Sequence, residues 1–334
     1  MSQGEQVSTQ RSGAIDLLRA GLLVYVVAYL HLGGYIGDGQ QHVHWSTVAV
    51  TNVVLGTFTF LSGYVLGEWK GGMNMQALLG FYGRRLVRVY PLYLLALAGF
   101  VLVWLVDVHT AVRGAVVISM FYPPPPMTLW FITMIIVCYV FAPALIVPSP
   151  RAGLVVGVLL WVAMLGFHFG VNETDPRMLT QFPAFAAGVA CRRLGLREPG
   201  RLPIGWLVAG FAAALVAAIF TLDRPLLGAI VAVPSVIVGP LLLLAVANRY
   251  FADVGRHRVV VLLSYLSFSA YLFHRIVFEV VKRAAWPSSQ AGQVAVLVLI
   301  GLPAVLLVAL LVQSGYDRLL ALFGSQRRLR ATST

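Results

Sequence analysis

Three ionisable residues lie in the first apolar stretch of the chain, residues 14–37, which otherwise has the length and composition of a membrane-spanning helix. Asp16 and Arg19 are three positions apart, so their side chains can pair on one helix face. His31 follows twelve residues after Arg19, about 18 Å further along the axis of a regular helix. Ionisable groups at membrane depth are costly and mark candidate functional sites. An imidazole can accept a hydroxyl proton near neutral pH, so we expect His31 to act as a general base.

A structural role is the alternative for each of these residues. Asp16 and Arg19 could anchor the helix at the membrane interface, and His31 could be a hydrogen-bonded packing residue. Besides general-base chemistry, covalent catalysis with His31 as the nucleophile is also open. The sequence offers no nearby acidic group to orient His31, so its orienting partner is not identified.

The composition indicates an integral membrane protein. Of the 334 residues, 59% are hydrophobic and 11% are charged, whereas soluble domains average about a quarter charged residues. Long apolar runs favour helices over a barrel, because a helix satisfies its own backbone hydrogen bonds in lipid. We predict an all-α, polytopic bundle of ten transmembrane helices, at residues 14–37, 47–67, 90–108, 128–147, 152–169, 178–194, 203–221, 226–247, 259–281 and 292–314.

The distribution of basic residues predicts the orientation. With the N-terminus in the cytoplasm, 17 of the 24 Lys and Arg residues fall in cytoplasmic segments and 5 in external ones, while Arg19 and Arg275 lie within spans. This asymmetry predicts that both termini are cytoplasmic. It divides the chain into a cytoplasmic tail (1–13), a transmembrane domain (14–316) and a basic cytoplasmic tail (317–334). The net charge of +12 is explained by this bias and by anionic lipids better than by nucleic-acid binding.

A cluster of three arginines precedes the third predicted span. Arg84, Arg85 and Arg88 fall on one side of what we interpret as a short amphipathic helix on the cytoplasmic face. Guanidinium groups suit bidentate contact with phosphate, so the cluster is a candidate site for a cytosolic phosphorylated ligand. The alternative is an interfacial segment bound to anionic lipid head groups. The basic segments 191–201 and 248–258 are interpreted as ordinary cytoplasmic charge.

The ninth predicted span carries a second intramembrane histidine. His274 is followed by Arg275, and Glu279 lies four residues further, where it could pair with Arg275. His274 is either a hydrogen-bonded packing group or a supporting residue of an acceptor site. The sequence does not decide between these two roles.

The remaining candidate residues carry weaker signals. Trp130 is typical of an interface belt or of helix packing, and a role in lining a sugar site stays open. His42 and His44 lie on a predicted external loop without acidic or cysteine partners. They do not make a convincing metal site, so no metal is expected.

Segments spread over most of the chain resemble the acyltransferase-3 family of membrane-bound O-acyltransferases. In chain order, the similar segments are "IDLLR" with the later histidine of the first helix, "TFTFLSGYVLGEW" (57–69), "FYGRRLVRVYPLY" (81–93), "TLWFITMIIVCYVFAPAL" (128–145) and "LSYLSFSAYLFHRIVFEV" (263–280). Each segment alone is a weak signal, but their order across the predicted spans is fairly specific.

The resemblance implies a multi-pass enzyme of the bacterial inner (plasma) membrane. It would transfer an acyl group, most simply acetyl, from cytosolic acyl-CoA to a hydroxyl of a carbohydrate or glycolipid acceptor outside the cytoplasm. The implied catalytic residues are His31, Arg19 and Asp16, and the implied acyl-CoA-binding residues and supporting residues are Arg84, Arg85, Arg88, His274 and Trp130. Since the nucleotide of the donor cannot cross the membrane, this interpretation requires a passage from the arginines to His31.

One feature departs from the family pattern. The family usually has ten residues between the arginine and the histidine, whereas eleven separate Arg19 from His31. On a regular helix the extra residue turns the two side chains about 120° apart. A π-bulge absorbs one inserted residue and often marks a functional site. We therefore predict a π-bulge, or a distortion at Gly21, between Arg19 and His31.

Two other classes of function remain open on the sequence. The first is an exporter or flippase of a glycan or lipid-linked precursor, whose polar groups would line a path through the membrane. The second is a membrane-embedded sensor or scaffold. Only the acyltransferase would release free coenzyme A from acyl-CoA. The sequence identifies neither the acyl group, nor the acceptor, nor the oligomeric state.

Overall fold

The structure is a computed structural model that describes residues 12–37, 44–69, 74–171, 174–196, 199–221 and 223–331, with side-chain environments through residue 322. Within these residues all regular elements are helical, which confirms the predicted all-α class. The helices are α1 (Gly13–Val24, continued by the π-helical turn Tyr25–His31), α2 (Trp45–Leu66), α3 (Met75–Leu102), α4 (Val108–Ala115), α5 (Trp130–Ile146), α6 (Pro150–Val171), α7 (Pro176–Arg193), α8 (Ile204–Ile219), α9 (Pro225–Val231), α10 (Val233–Tyr250), α11 (Arg258–Ala284), α12 (Gln290–Val296) and α13 (Leu302–Ala331).

The protein is a multi-pass membrane protein. Seven segments of the described chain are long and apolar enough to cross a bilayer: Gly13–His31, Trp45–Leu66, Met75–Leu102, Pro150–Val171, Pro225–Tyr250, Arg258–Ala284 and Gln290–Leu322. Helices also cover the other three predicted spans, but α5 and α8 are shorter and α7 is less apolar. The count of ten crossings and the cytoplasmic termini therefore stay predictions.

The arginine cluster belongs to a long helix. Met75–Leu102 is one continuous helix, so the expected short amphipathic helix ahead of a separate span at 90–108 is wrong. The helix begins where the side chain of Asn74 accepts a hydrogen bond from the backbone N–H of Ala77, at 2.7 Å. Pro91 lies inside the helix without ending it, as packed membrane helices allow.

Glycines let α2 and α7 pack closely. A Cβ at Gly63 would collide with the carbonyl oxygen of Phe185, and a Cβ at Gly188 would collide with that of Phe60. Small residues at such crossings are the usual means by which membrane helices approach each other. This reciprocal contact fixes α2 against α7 in the core of the bundle.

Helix α11 packs between α1 and α13 and makes hydrogen bonds to both of them. The hydroxyl of Ser264 on α11 donates to the buried carboxylate of Asp16 on α1, at 2.6 Å. On the other side, the hydroxyl of Ser269 donates to the side-chain oxygen of Gln313 on α13, also at 2.6 Å. These bonds hold three helices in register, because an unpaired polar group in an apolar interior is expensive.

The predicted terminal tails have different outcomes. Residues 1–11 of the N-terminal tail lie outside the described residues. At the other end, α13 continues as helix to Ala331, so the region assigned to the C-terminal tail from residue 317 begins within this helix.

Candidate active site

The first helix changes geometry between its two candidate catalytic residues. It is α-helical to Val24 and π-helical from Tyr25 to His31, which confirms the predicted π distortion. A π turn takes up one more residue than an α turn. His31, at the end of the π turn, contacts His274 on α11, and Arg19 lines a cavity that several helices form.

His31 and His274 form a hydrogen-bonded pair across the α1–α11 interface. Nδ1 of His31 lies 2.7 Å from Nε2 of His274. The ring planes differ by 3°, and the ring centroids are 4.8 Å apart. With so short a nitrogen–nitrogen distance, this centroid separation means that the rings meet edge to edge, in the arrangement of an in-line hydrogen bond. His274 is fully buried, whereas His31 is partly accessible.

The second nitrogen of His274 sets the direction of the hydrogen bonds. Nδ1 of His274 lies 2.7 Å from the backbone oxygen of Tyr271, which can only accept, so this nitrogen carries the hydrogen. In the neutral ring, Nε2 of His274 is then an acceptor, and Nδ1 of His31 must donate to it. Nε2 of His31 consequently keeps a free lone pair. The orienting partner of His31, which the sequence did not identify, is therefore His274.

An arginine-lined cavity of about 730 Å³ lies next to this pair. Its walls include Asp16, Glu68 and Asn248, at helix ends that the charge count predicts to be cytoplasmic, and they extend to Phe131 in the first turn of α5. Its basic side chains are Arg19, Arg85, Arg88 and Arg192. A concave site with several guanidinium groups is suited to a large anionic ligand.

The structure separates the predicted arginine cluster. Arg85 is half-buried and lies 6.0 Å from the ring centre of Tyr139, and Arg88 also lines the cavity. Arg84 is exposed on α3 and does not line the cavity described here. Among the three predicted residues, the cavity therefore brings together Arg85 and Arg88 with Arg19.

The sequence did not single out Arg192, which was interpreted as ordinary cytoplasmic charge. Its guanidinium forms an ion pair with Glu68, and it donates a hydrogen bond of 3.2 Å to the hydroxyl of Tyr64. It also lies 5.1 Å from the ring centre of Tyr64. All three residues line the cavity. Nothing in the basic segment 191–201 distinguishes Arg192 from its neighbours, so the sequence held no signal for it.

The cavity ends one side chain short of the histidine pair. Phe131 and Tyr271 line it, and their rings meet edge to face with centroids 5.8 Å apart. Tyr271 is also the residue whose backbone oxygen holds His274. His31 and His274 do not line the cavity, so the expected open passage from the arginines to His31 is closed in this structure.

Two other sequence-based expectations concern residues beside the pair. Glu279 accepts a hydrogen bond of 3.0 Å from Nε of Arg283, so the expected pairing of Glu279 with Arg275 is wrong. Arg275 lies four residues before Glu279 and Arg283 lies four residues after it, and Arg283 is the one that forms the ion pair. Trp130 is buried, and the guanidinium of Arg177 lies 4.2 Å from its ring centre, so it makes a cation–π packing contact.

No metal-binding group was found in the described part of the chain, where no three His, Cys, Asp or Glu side chains are placed to share an ion. His42, one of the two loop histidines considered for metal, lies outside the described residues. Besides the histidine pair, the charged side chains at the site are the carboxylates of Asp16 and Glu68 and the four arginines of the cavity.

Comparison with protein families identifies the family of the chain. The family model Acyl_transf_3, described as an acyltransferase domain, matches residues 12–313, nearly the whole chain. Comparisons with curated proteins and with solved structures gave no match. The family match spans every helix that contributes to the histidine pair and to the cavity. The chain therefore belongs to the acyltransferase-3 family of membrane acyltransferases.

Proposed function

We propose that the protein transfers an acyl group, most simply acetyl, from cytosolic acyl-CoA to a hydroxyl of a carbohydrate acceptor on the outer side of the bacterial inner membrane. The observation that carries the proposal is the juxtaposition of an oriented histidine pair with an arginine-lined cavity. The pair supplies a base, and the cavity supplies a binding site for an anionic donor.

The cavity matches the chemistry of acyl-CoA. Coenzyme A carries a diphosphate and a ribose phosphate at one end and the thioester at the other. Arg85 and Arg88 on α3 bind the phosphates, because guanidinium forks form bidentate hydrogen bonds with phosphate oxygens. Arg19 on α1 binds nearer the pantetheine end. Asp16, fixed by Ser264, positions the inner part of α1 that presents Arg19.

The reaction uses the free lone pair of His31. Nε2 of His31 takes the proton of the acceptor hydroxyl while the hydroxyl oxygen attacks the thioester carbonyl and forms the new carbon–oxygen bond. The tetrahedral intermediate then collapses, and the carbon–sulfur bond breaks. His31 returns its proton to the leaving thiolate, which departs as free coenzyme A. The products are the acyl ester of the acceptor and a thiol, so protons and electrons balance.

His274 acts as a positioning residue in this scheme. Its Nε2 accepts from Nδ1 of His31, which fixes the ring so that the other nitrogen faces the substrate. When His31 is protonated, the same hydrogen bond becomes charge-assisted and stronger. His274 therefore stabilises the protonated form of His31 without contacting the substrate.

The proposal requires one movement. The acyl end of the donor must pass Phe131 and Tyr271, which separate the cavity from His31. The hydroxyl of Tyr271 is bonded to the backbone oxygen of Thr128, so the movement falls to the ring of Phe131. The large nucleotide end stays at the arginines throughout.

The test is thiol release from acetyl-CoA by the purified protein in detergent, with soluble glycosides as acceptors. We expect acceptor-dependent release that His31→Ala abolishes while the protein remains folded and monodisperse. His168→Gln is the matched control, because His168 is a histidine of an apolar helix that bonds the backbone oxygen of Thr174 and takes no part in the site. Release that survives His31→Ala would contradict the proposal. Glycan movement without any thiol release would support an exporter.

A further inference from the structure

Four side chains beyond the histidine pair form a series in which cations and aromatic rings alternate. The guanidinium of Arg275 lies 5.3 Å from the ring centre of Tyr35. The ammonium of Lys282 lies 5.8 Å from the same ring and 5.8 Å from the ring of Trp286. We call Arg275, Tyr35, Lys282 and Trp286 the cation–aromatic ladder. Such contacts hold a cation in place against a ring face.

The ladder starts at the candidate catalytic pair. Arg275 follows His274 in the chain, and its backbone oxygen accepts a hydrogen bond of 3.3 Å from the hydroxyl of Tyr35. Tyr35 lies four residues after His31 on the chain that continues α1. From Arg275 to Lys282 is seven residues of α11, a rise of about 10 Å. The ladder therefore extends from the pair to the end of α11 that the proposed orientation places outside.

Arg275 holds an unsatisfied hydrogen-bond donor. Its Nε is buried and has no hydrogen-bond partner among the described residues. The nearest acidic residue along the helix, Glu279, is bound by Arg283 instead. Leaving a buried charged donor unpaired is expensive, and most such groups in native proteins have partners. An orphaned donor beside a candidate catalytic base indicates a position that a ligand oxygen fills.

The local charge favours an anionic ligand. The outer end of α11 carries Arg275, Lys282 and Arg283 against the single carboxylate of Glu279. In the predicted orientation only five basic residues are external, and Lys282 and Arg283 are two of them. Basic residues are usually enriched on the cytoplasmic side of a membrane protein. Here several of them lie on the helix that carries His274, at its predicted external end. The partly accessible ring of Trp286 adds a flat apolar surface, which suits the apolar face of a sugar ring.

We propose that the cation–aromatic ladder is the acceptor site and that the acceptor is a carbohydrate with a carboxylate on the sugar residue that bears the reacting hydroxyl. Arg275 binds the carboxylate, which places the neighbouring hydroxyl at Nε2 of His31. Lys282 and Trp286 bind the part of the glycan further out. This inference rests on the proposed acyl transfer and adds the charge class of its acceptor.

The test compares acceptors that differ only in the carboxylate. Thiol release from acetyl-CoA is measured with methyl glucoside against methyl glucuronide, and with methyl galactoside against methyl galacturonide. For the wild-type protein in neutral detergent we expect kcat/KM for the charged member of a pair to be about tenfold higher, the effect of one charge-assisted hydrogen bond. Arg275→Gln is expected to bring this ratio to about one, and Arg275→Lys to keep part of it.

Controls separate charge recognition from general damage. Arg224→Gln removes an exposed arginine outside the ladder and is expected to leave the ratio unchanged. Lys282→Gln is expected to leave the ratio near the wild-type value, because a monosaccharide acceptor places its one carboxylate at Arg275 and does not reach Lys282. Size-exclusion chromatography and thermal unfolding verify that each variant is folded. The ratio within one variant is insensitive to the amount of active protein.

Each outcome has a distinct meaning. Equal rates for the charged and neutral members, or a ratio that Arg275→Gln leaves intact, would overturn the acceptor assignment while leaving acyl transfer in place. Absence of thiol release with every acceptor would contradict the proposed function itself.

The ratio is measured again in phosphatidylcholine nanodiscs with and without phosphatidylglycerol. A ratio that disappears only with phosphatidylglycerol would show that the ladder binds a lipid head group, which also overturns the assignment.

Discussion

Nδ1 of His31 and Nε2 of His274 lie 2.7 Å apart, although 243 positions separate the two residues in the chain. The hydrogen bond from His274 to the backbone oxygen of Tyr271 fixes which nitrogen of each neutral ring carries its hydrogen. A backbone oxygen on α11 thereby determines which nitrogen of a side chain on α1 can act as a base. The pair differs from a histidine–carboxylate arrangement in that its orienting group is neutral.

The first prediction concerns His274. Because this residue orients His31 without touching the substrate, His274→Ala should lower kcat by about 10²-fold and leave KM for acetyl-CoA nearly unchanged. Steady-state thiol release at varied acetyl-CoA concentration separates the two constants. A packing residue would instead lower the yield of folded protein and leave the kcat of the folded fraction intact.

The second prediction concerns donor binding and uses neighbouring arginines as a matched pair. Arg85 lines the cavity and Arg84 is exposed outside it. Losing one charge-assisted contact with a phosphate costs about 1.5–3 kcal/mol, so Arg85→Gln should raise KM for acetyl-CoA about 10- to 100-fold. Arg84→Gln should change it less than about twofold. Equal effects of the two substitutions would mean that the cavity does not hold the nucleotide.

Some of this site could be predicted from the sequence. The ionisable residues of the first helix stand out because such groups are rare at membrane depth. The residue in excess between Arg19 and His31 predicted the π turn that the structure has from Tyr25 to His31. In each case the information is local, since it depends on composition and on spacing within one helix.

Other parts of the site could not be predicted, because they depend on contacts between distant segments. The spacing of residues on α1 and α11 gives no indication that His31 meets His274. Arg192 looks like any other basic residue at a helix end until α7 brings it into the cavity. The continuity of α3 through Pro91 could not be predicted either, because neighbouring helices decide whether a proline ends a membrane helix.

The third prediction tests the close contact of α2 and α7. A methyl group at Gly63 would collide with the carbonyl oxygen of Phe185, and this backbone atom cannot move aside as a flexible side chain would. Gly63→Ala should therefore destabilise the protein by about 1–3 kcal/mol, the usual cost of overpacking. Thermal unfolding in detergent measures the effect. Gly166→Ala on α6 is the control, because open space surrounds that position, and it should leave the unfolding temperature unchanged or slightly higher.

The fourth prediction concerns the closed passage between the cavity and His31. Phe131 and Tyr271 separate them, but the ring of Tyr271 also packs against the ring of His274, with centroids 5.9 Å apart. Phe131 is therefore the residue to change, because its removal leaves this contact in place. Phe131→Ala should join the cavity to His31 and admit water along with the thioester. Acceptor-independent hydrolysis of acetyl-CoA should then rise several-fold, while Phe131→Leu, which keeps most of the bulk, should show a smaller rise. Ile132→Val, a smaller change at a neighbouring cavity residue, is the control and should leave hydrolysis at the wild-type rate. If removing the ring lowers hydrolysis, Phe131 guides the donor towards His31 and does not block its path.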